Sequence, residues 1–328
     1  MLSRAANNLY WMSRHIERAE NTARLLDVTY RMSLLPYRIL ESGQSWAEPW
    51  ALPLVINGLA SAYYERYPGP ISTDQVLRFM VLDPANSSSV YSCVQAAREN
   101  ARTVRSSITS EMYEDLNTFW LEMRNQDYER IHANGLSSFF DWVKMHSHEF
   151  RGLAFGTMLR DEGYNFMRLG TFIERADNTA RLLDVKYHTL LPSAADIGGA
   201  VDYYQWGALL RSLSAFDSYR KVYRDLITPM KVAELLMLRD DVPRSLHTCM
   251  NDIYEILKVI CDQSSREAER MAGELHAQLH YGRTAQIIEL GLHEYLMAFL
   301  DKLSTLTTEI NRDFFTLDYS QQQQKMSS

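Results

Sequence analysis

Apolar side chains recur every three or four residues along the opening of the chain, at Leu2, Ala5, Leu9, Met12, Ile16, Ala19, Ala23, Leu26 and Tyr30. That spacing is the seam of an amphipathic helix packed along its whole length. The same rhythm returns at Leu159, Phe166, Leu169, Ile173, Ala176, Ala180, Leu183 and Tyr187. Pro36 and Pro192 are expected to end these two helices, since proline lacks an N–H and clashes with the preceding turn. Further helices are predicted at about 52–66, 87–109, 112–127, 135–151, 198–212, 216–226, 243–263 and 284–315. Ser72-Thr73-Asp74-Gln75 reads as a capping box, and Asn86-Ser87-Ser88-Ser89 suits an N-cap for the helix near 87. Loops are expected at PYRILESGQS, YPGPIS and PSAADIGG. No segment alternates with period two and no βαβ rhythm appears, so the expected fold class is all-α.

The two seams belong to an internal repeat. Residues 16–28, IERAENTARLLDV, match residues 173–185, IERADNTARLLDV, at twelve of thirteen positions, the exception being Glu20 against Asp177. At the same offset of 157, Met1-Leu2 falls on Met158-Leu159 and Asn8 on Asn165. Beyond the helix the offset becomes 156, as one deleted residue would cause. Leu34-Leu35-Pro36 then falls on residues 190–192, Trp50 on Trp206, and Tyr63 and Tyr67 on Tyr219 and Tyr223. Leu82, Ser89 and Cys93 fall on Leu238, Ser245 and Cys249. One register held over so long a stretch predicts a tandem-duplicated helical bundle with two pseudo-symmetric halves, 1–157 and 158–328.

Composition narrows the class. With 14 glycines and 9 prolines in 328 residues, the chain is neither collagen-like nor linker-rich. A net charge of −7 argues against a generally basic nucleic-acid binder. Three cysteines without a CxxC pair suit a reducing cytoplasm better than a disulfide framework. No apolar run is long enough for a membrane span, and MLSRAANNLYWM lacks the apolar stretch of a signal peptide. The tail SQQQQKMSS is expected to be disordered.

Packing explains the matched apolar positions but not the matched polar ones: Glu17/Glu174, Arg18/Arg175, Asn21/Asn178, Arg24/Arg181 and Asp27/Asp184. Glu17, Asn21 and Arg24 share one helix face beside the seam, whereas Arg18 points about 100° away from Glu17. Two structural explanations exist. Pairs such as Glu20–Arg24 brace one helix at i,i+4, or the two helices pack with each Glu meeting the other copy's Arg. The functional explanation is a polar cleft between the copies that binds a ligand or partner.

A second cluster is one-sided. Arg98, Arg102 and Arg105 form an arginine stripe at i, i+4 and i+7, and their counterparts are Tyr254, Lys258 and Cys261. Such a stripe needs carboxylates, from Glu17, Glu20 or Asp27, or else an anionic ligand. Metal chemistry is weakly signalled. Glu17-x-x-Glu20 and Glu174-x-x-Asp177 lack the i+3 histidine of dimetal bundles, Phe172 replaces His15, and the nine histidines look scattered, so no metal site is expected. HExxH, GxSxG, GxxxxGK[ST] and GxGxxG are absent. Cys93 and Cys249, with Trp50/Trp206 and Tyr63/Tyr219, are expected in the core.

The opening MLSRAANNLYWMSRHIERAENTARLLDV resembles the bacterial alpha-E family, a helical domain named for its Glu-Arg motif, here Glu17-Arg18 and Glu174-Arg175. DPANSSSVYSCVQAARENAR and DDVPRSLHTC look like further motifs of that family, although its usual Asn-Pro reads Asp83-Pro84-Ala85-Asn86 here. The resemblance covers essentially the whole chain. Members are typically encoded beside, or fused to, a circularly permuted ATP-grasp ligase, often with a transglutaminase-like cysteine peptidase nearby. What this implies is a role in making, modifying or trimming amide bonds of a peptide or peptide-like product. The expected role is a helical partner of the ATP-grasp protein that binds or presents the substrate. The alternative is a transferase or ligase using its Glu/Arg pairs in an inter-repeat cleft. ATP and Mg are implied for the partner ligase, with no cofactor for this chain. A peptide or anionic small molecule is the implied ligand, held by the matched Glu, Arg and Asn residues and the arginine stripe, without nucleic acid or membrane.

Overall fold

A computed structural model describes residues 1–34, 49–189, 200–262 and 266–316. Among them the chain is helical and contains no strand, and no helix is long and apolar enough to cross a membrane. The two prolines expected to end the long helices, the loops at PYRILESGQS and PSAADIGG, and the polar tail lie outside the described residues.

Two long helices, α1 (Ser3–Ser33) and α9 (Glu162–Thr189), pack against each other at the centre. After α1 come the short helices α2 (Leu52–Ile56), α3 (Ala60–Arg66) and α4 (Thr73–Leu77). They lead to α5 (Val90–Thr103), α6 (Ser110–Arg124), α7 (Tyr128–Asn134) and α8 (Leu136–Thr157). After α9 come α10 (Ala200–Ser212), α11 (Phe216–Tyr223), α12 (Pro229–Met237), α13 (Leu246–Ile260), α14 (Arg266–His280), α15 (Thr284–Leu290) and α16 (Leu292–Ile310). Helices α5 and α8 lie on α1, with α6 touching both; α13 and α16 lie on α9, with α14 touching both. The order of packing around α1 thus recurs around α9.

The seams read from the sequence are the buried stripes. Leu9, Met12, Ile16, Ala19, Ala23 and Leu26 on α1, and Leu169, Ile173, Ala176, Ala180 and Leu183 on α9, are almost wholly buried. Each large apolar side chain so buried contributes roughly 1.5–3 kcal/mol. The helices approach closely where small residues face each other. Ser13 donates to the Met167 carbonyl at 2.6 Å. At the repeat-equivalent position, a Cβ on Gly170 would lie only 2.2 Å from the Tyr10 carbonyl oxygen. Glycine is used there because the facing backbone occupies the space of a side chain.

Several boundaries differ from expectation. The helix predicted over 52–66 is divided at Asn57-Gly58, and the one over 284–315 at Gly291, both glycines having positive φ. Helices α7, α12 and α14 were not anticipated. Asp127 and Thr228 cap the first two, accepting from Arg130 N and Lys231 N, and Pro229 begins α12. The capping box at Ser72 does not form: Ser72 makes no side-chain cap bond, and Gln75 instead accepts from the Tyr63 hydroxyl at 3.3 Å. The N-cap read at Asn86-Ser87-Ser88-Ser89 does form: Ser89 caps α5, accepting from Ser92 N at 3.1 Å, while Asn86 ties the preceding turn to the Phe79 carbonyl.

Candidate functional site

Helix packing brings the two Glu-Arg motifs face to face, and each glutamate is held by the other motif's arginine. Arg175 donates to Glu17 through Nε at 3.1 Å and Nη2 at 3.0 Å. Arg18 donates to Glu174 through Nε at 2.6 Å and Nη2 at 2.9 Å. Both are forked guanidinium–carboxylate pairs, the strong form of a charge-assisted hydrogen bond. Adjacent Glu and Arg point in different directions on one helix, so each reaches across α1–α9 rather than to its neighbour. Glu17 is 1% exposed and Glu174 6%.

Around Glu17 the interface is filled. Arg244, from the turn before α13, donates to Glu17 Oε1 at 2.8 Å, Asn21 Oδ1 at 3.0 Å and Glu20 Oε1 at 2.8 Å. Arg151 of α8 donates to Glu17 Oε2 at 3.0 Å and pairs with Glu20 at 2.5 Å. Arg24 and Ser147 add hydrogen bonds to Glu20 at 2.7 Å each. These cations explain why two carboxylates can lie side by side inside the protein.

Around Glu174 the interface is open. The repeat register that equates Ser89 with Ser245 places Ser88 opposite Arg244, so no guanidinium enters from that turn. Arg14 supplies the second cation instead, with Nε 2.9 Å from Glu174 Oε2. What remains is a cleft of about 250 Å³, lined by Arg14, Arg18, Asn21, Ile56, Asn57, Ser88, Glu174, Asp177, Asn178 and Arg181. Three guanidinium groups against two carboxylates give the lining a net charge of +1. Both carboxylates are already engaged. Arg18 uses Nε and Nη2 on Glu174, and Arg181 uses Nε and Nη2 on Asp177. Among the described residues, that leaves Nη1 of Arg18 and of Arg181 without a hydrogen bond, whereas Nη1 of Arg14 donates to the Tyr10 hydroxyl at 3.2 Å. Asn21 Nδ2 and Asn178 Nδ2 are buried donors without a hydrogen-bond partner among the described residues. A buried donor left unpaired costs about 1–3 kcal/mol, so the cleft favours a ligand that supplies acceptors.

The electrostatics hold the glutamates ionised at neutral pH. Burial alone would raise the Glu174 pKa, but Arg18 and Arg14 outweigh it and bring it down to about 2. Burial opposes Arg175, Arg244 and Arg151 at Glu17 in the same way, and the cations again prevail. Glu20 also lies well below the ordinary range, where burial is outweighed by Arg244, a hydrogen bond from His148, Arg151 and Arg24. A general base needs a pKa near the working pH. Cys93 and Cys249 are buried thiols pushed up to about 12, poor nucleophiles.

The other candidates are dispersed. Arg98, Arg102 and Arg105 do not face the first Glu-Arg helix, and Glu17, Glu20 and Asp27 do not neutralise them. Glu99 takes Arg98 at 2.6 Å and Arg102 at 2.9 Å. Arg98 also reaches Asn117 on α6, and Arg105 reaches Ser110 and lies over the Tyr113 ring. Asp27 ties α1 to α8 through Lys144 at 3.0 Å, and Asp184 ties α9 to α16 through His293 at 2.5 Å. Trp50, Trp206, Tyr63 and Tyr219 are core residues.

Sequence reasoning missed Arg14, Ser88, Arg151 and Arg244, because nothing local marks an arginine whose partner lies 134 or 227 positions away. The reading of the histidines as scattered is also corrected, since His247, His276 and His280 converge. A local signal existed for two of them, the i,i+4 spacing of His276 and His280 on α14.

Comparison with known proteins agrees with this architecture. An uncharacterised protein of Mycobacterium bovis and two of Mycobacterium tuberculosis are each 24% identical over 313 residues, covering 88% of this chain and 33% of theirs. The chain therefore spans about a third of the length of these relatives. No solved structure matches it. The Alpha-E family, described as a predicted alpha-helical domain with a conserved ER motif, matches residues 1–315, and the chain that builds the reciprocal Glu17–Arg175 and Glu174–Arg18 pairs belongs to this family.

Proposed function

We infer that this chain is a non-catalytic helical partner of a circularly permuted ATP-grasp ligase, acting in the cytoplasm in an amide-bond-forming or peptide-modifying pathway. Its cleft beside Glu174 receives the anionic end of a peptide or peptide-like substrate. The observation that carries this reading is the asymmetry of the Glu-Arg interface. One side is closed by Arg244, while the other keeps a small cleft with spare donors and no free carboxylate. A cleft of about 250 Å³ suits a carboxylate or phosphate head rather than a whole peptide. The ionised, saturated glutamates and the buried thiols support binding over chemistry, because neither can accept a proton or attack a carbonyl at neutral pH. A transglutaminase-like peptidase is the second partner this reading admits. Cys93 and Cys249 are buried free thiols, which suits the reducing compartment.

The test is reconstitution. The purified chain with ATP, Mg and candidate amino acids or peptides should release no ADP or phosphate and form no new amide, and the ATP-grasp protein should restore both. ATP turnover and amide formation by this chain alone would overturn the reading and favour a transferase or ligase.

A further inference from the structure

We propose that His247, His276 and His280 form a divalent transition-metal site of the zinc class, with three imidazole ligands and an exchangeable fourth position. The site lies on α13 and α14 and does not depend on the function proposed above. His276 and His280 are one helical turn apart on α14 and share a face. His247, the second residue of α13, meets them from the neighbouring helix. The three rings form a nearly equilateral triangle, with centroids 5.5, 5.3 and 5.5 Å apart. One potential ligand atom from each residue lies within 4.8 Å of the others.

Hydrogen bonding decides which nitrogen of His247 faces the cluster. Its Nδ1 is 2.9 Å from the Leu238 carbonyl oxygen, which can only accept, so Nδ1 carries the proton. Nε2 therefore presents a lone pair, the orientation in which a backbone carbonyl sets the tautomer of a ligating histidine. That Nε2 lies 3.3 Å from His280 Nδ1. Two nitrogens at about 2.0–2.1 Å from a tetrahedral zinc ion stand about 3.3–3.4 Å apart, so this pair is already spaced for one metal. His276 is stacked on Tyr254 at 5.5 Å, which fixes its ring plane. Among the described residues the cluster is three imidazoles, and an all-imidazole set suits zinc, copper or nickel rather than calcium or magnesium. His247 is buried while His280 is exposed, so an ion can enter from the His280 side and keep a water there.

The full chain, stripped by a chelator, would be titrated with Zn(II) by calorimetry and with Co(II) by visible spectroscopy. One ion per chain is expected, together with the intense visible bands of four-coordinate Co(II). His280→Ala removes an exposed ring at the end of α14, and His276→Ala removes the partly buried one. Both should keep the helical circular dichroism of the parent and lose roughly 100-fold or more in Zn(II) affinity. Absence of the Co(II) bands from the parent protein would overturn the site. So would equal Zn(II) affinity in parent and both variants, which would place the ion elsewhere, such as at Asp115, His146 and Glu149.

Discussion

Arg244 and Ser88 occupy corresponding places before α13 and α5, and this difference separates a closed side of the Glu-Arg interface from an open one. The Arg244 guanidinium, 6% exposed, bridges Glu17, Glu20 and Asn21. Ser88 is too short to do the same at Glu174, and the cleft remains.

Ser88→Arg should therefore fill the cleft from the turn that precedes α5. Product formation in the reconstituted ligase reaction should then be lost, while circular dichroism stays that of the parent. Unchanged product formation would remove the cleft from the proposed function.

Arg244→Met should be strongly destabilising, because it strands buried carboxylates that Arg244 helps neutralise. The expected cost is about 3–5 kcal/mol, read from urea unfolding. Arg102→Ala provides the contrast. Its side chain is 62% exposed and pairs only with Glu99 among the described residues, so the change should stay within about 0.5 kcal/mol.

Acid should unfold the protein partly through Glu174. Its pKa falls from the ordinary 4.5 to about 2 in the fold, so the unfolded chain binds the proton more readily. The stabilisation is complete above pH 4.5 and is lost as pH falls towards 2, a contribution on the order of 3 kcal/mol. Urea midpoints measured across this window should drop steeply for the parent and more gently for Glu174→Gln, which has no proton to take up there.

Gly170→Ala tests the close approach of α1 and α9. The new methyl would meet the Tyr10 carbonyl at 2.2 Å and Ser13 Oγ at 2.7 Å, and backbone cannot rotate away as a side chain can. A loss of about 1–3 kcal/mol is expected, seen as a lower thermal midpoint. The same substitution at Gly152, which has open space around it, should cost nothing through steric contact.

The sequence by itself determined the all-α class, the central pair of long helices and the unusual status of the Glu-Arg positions. Those features are periodic or repeated, and a 3.6-residue period is visible without knowing what packs against it. It located α1 and α9 but ran the helices over 52–66 and 284–315 straight through Gly58 and Gly291, where a positive φ breaks them. Tertiary structure decided what the polar positions do. Whether Glu17 faces an open polar cleft or meets Arg175 across the interface depends on how α1 and α9 pack. Packing also brought Arg244 to Glu17 and left Ser88 beside Glu174. Helix α14, which the sequence reading did not place, makes neighbours of His276 and His280, and the packing of α13 on α14 supplies His247. Charges and lone pairs act over a few ångströms of space, whatever their separation along the chain.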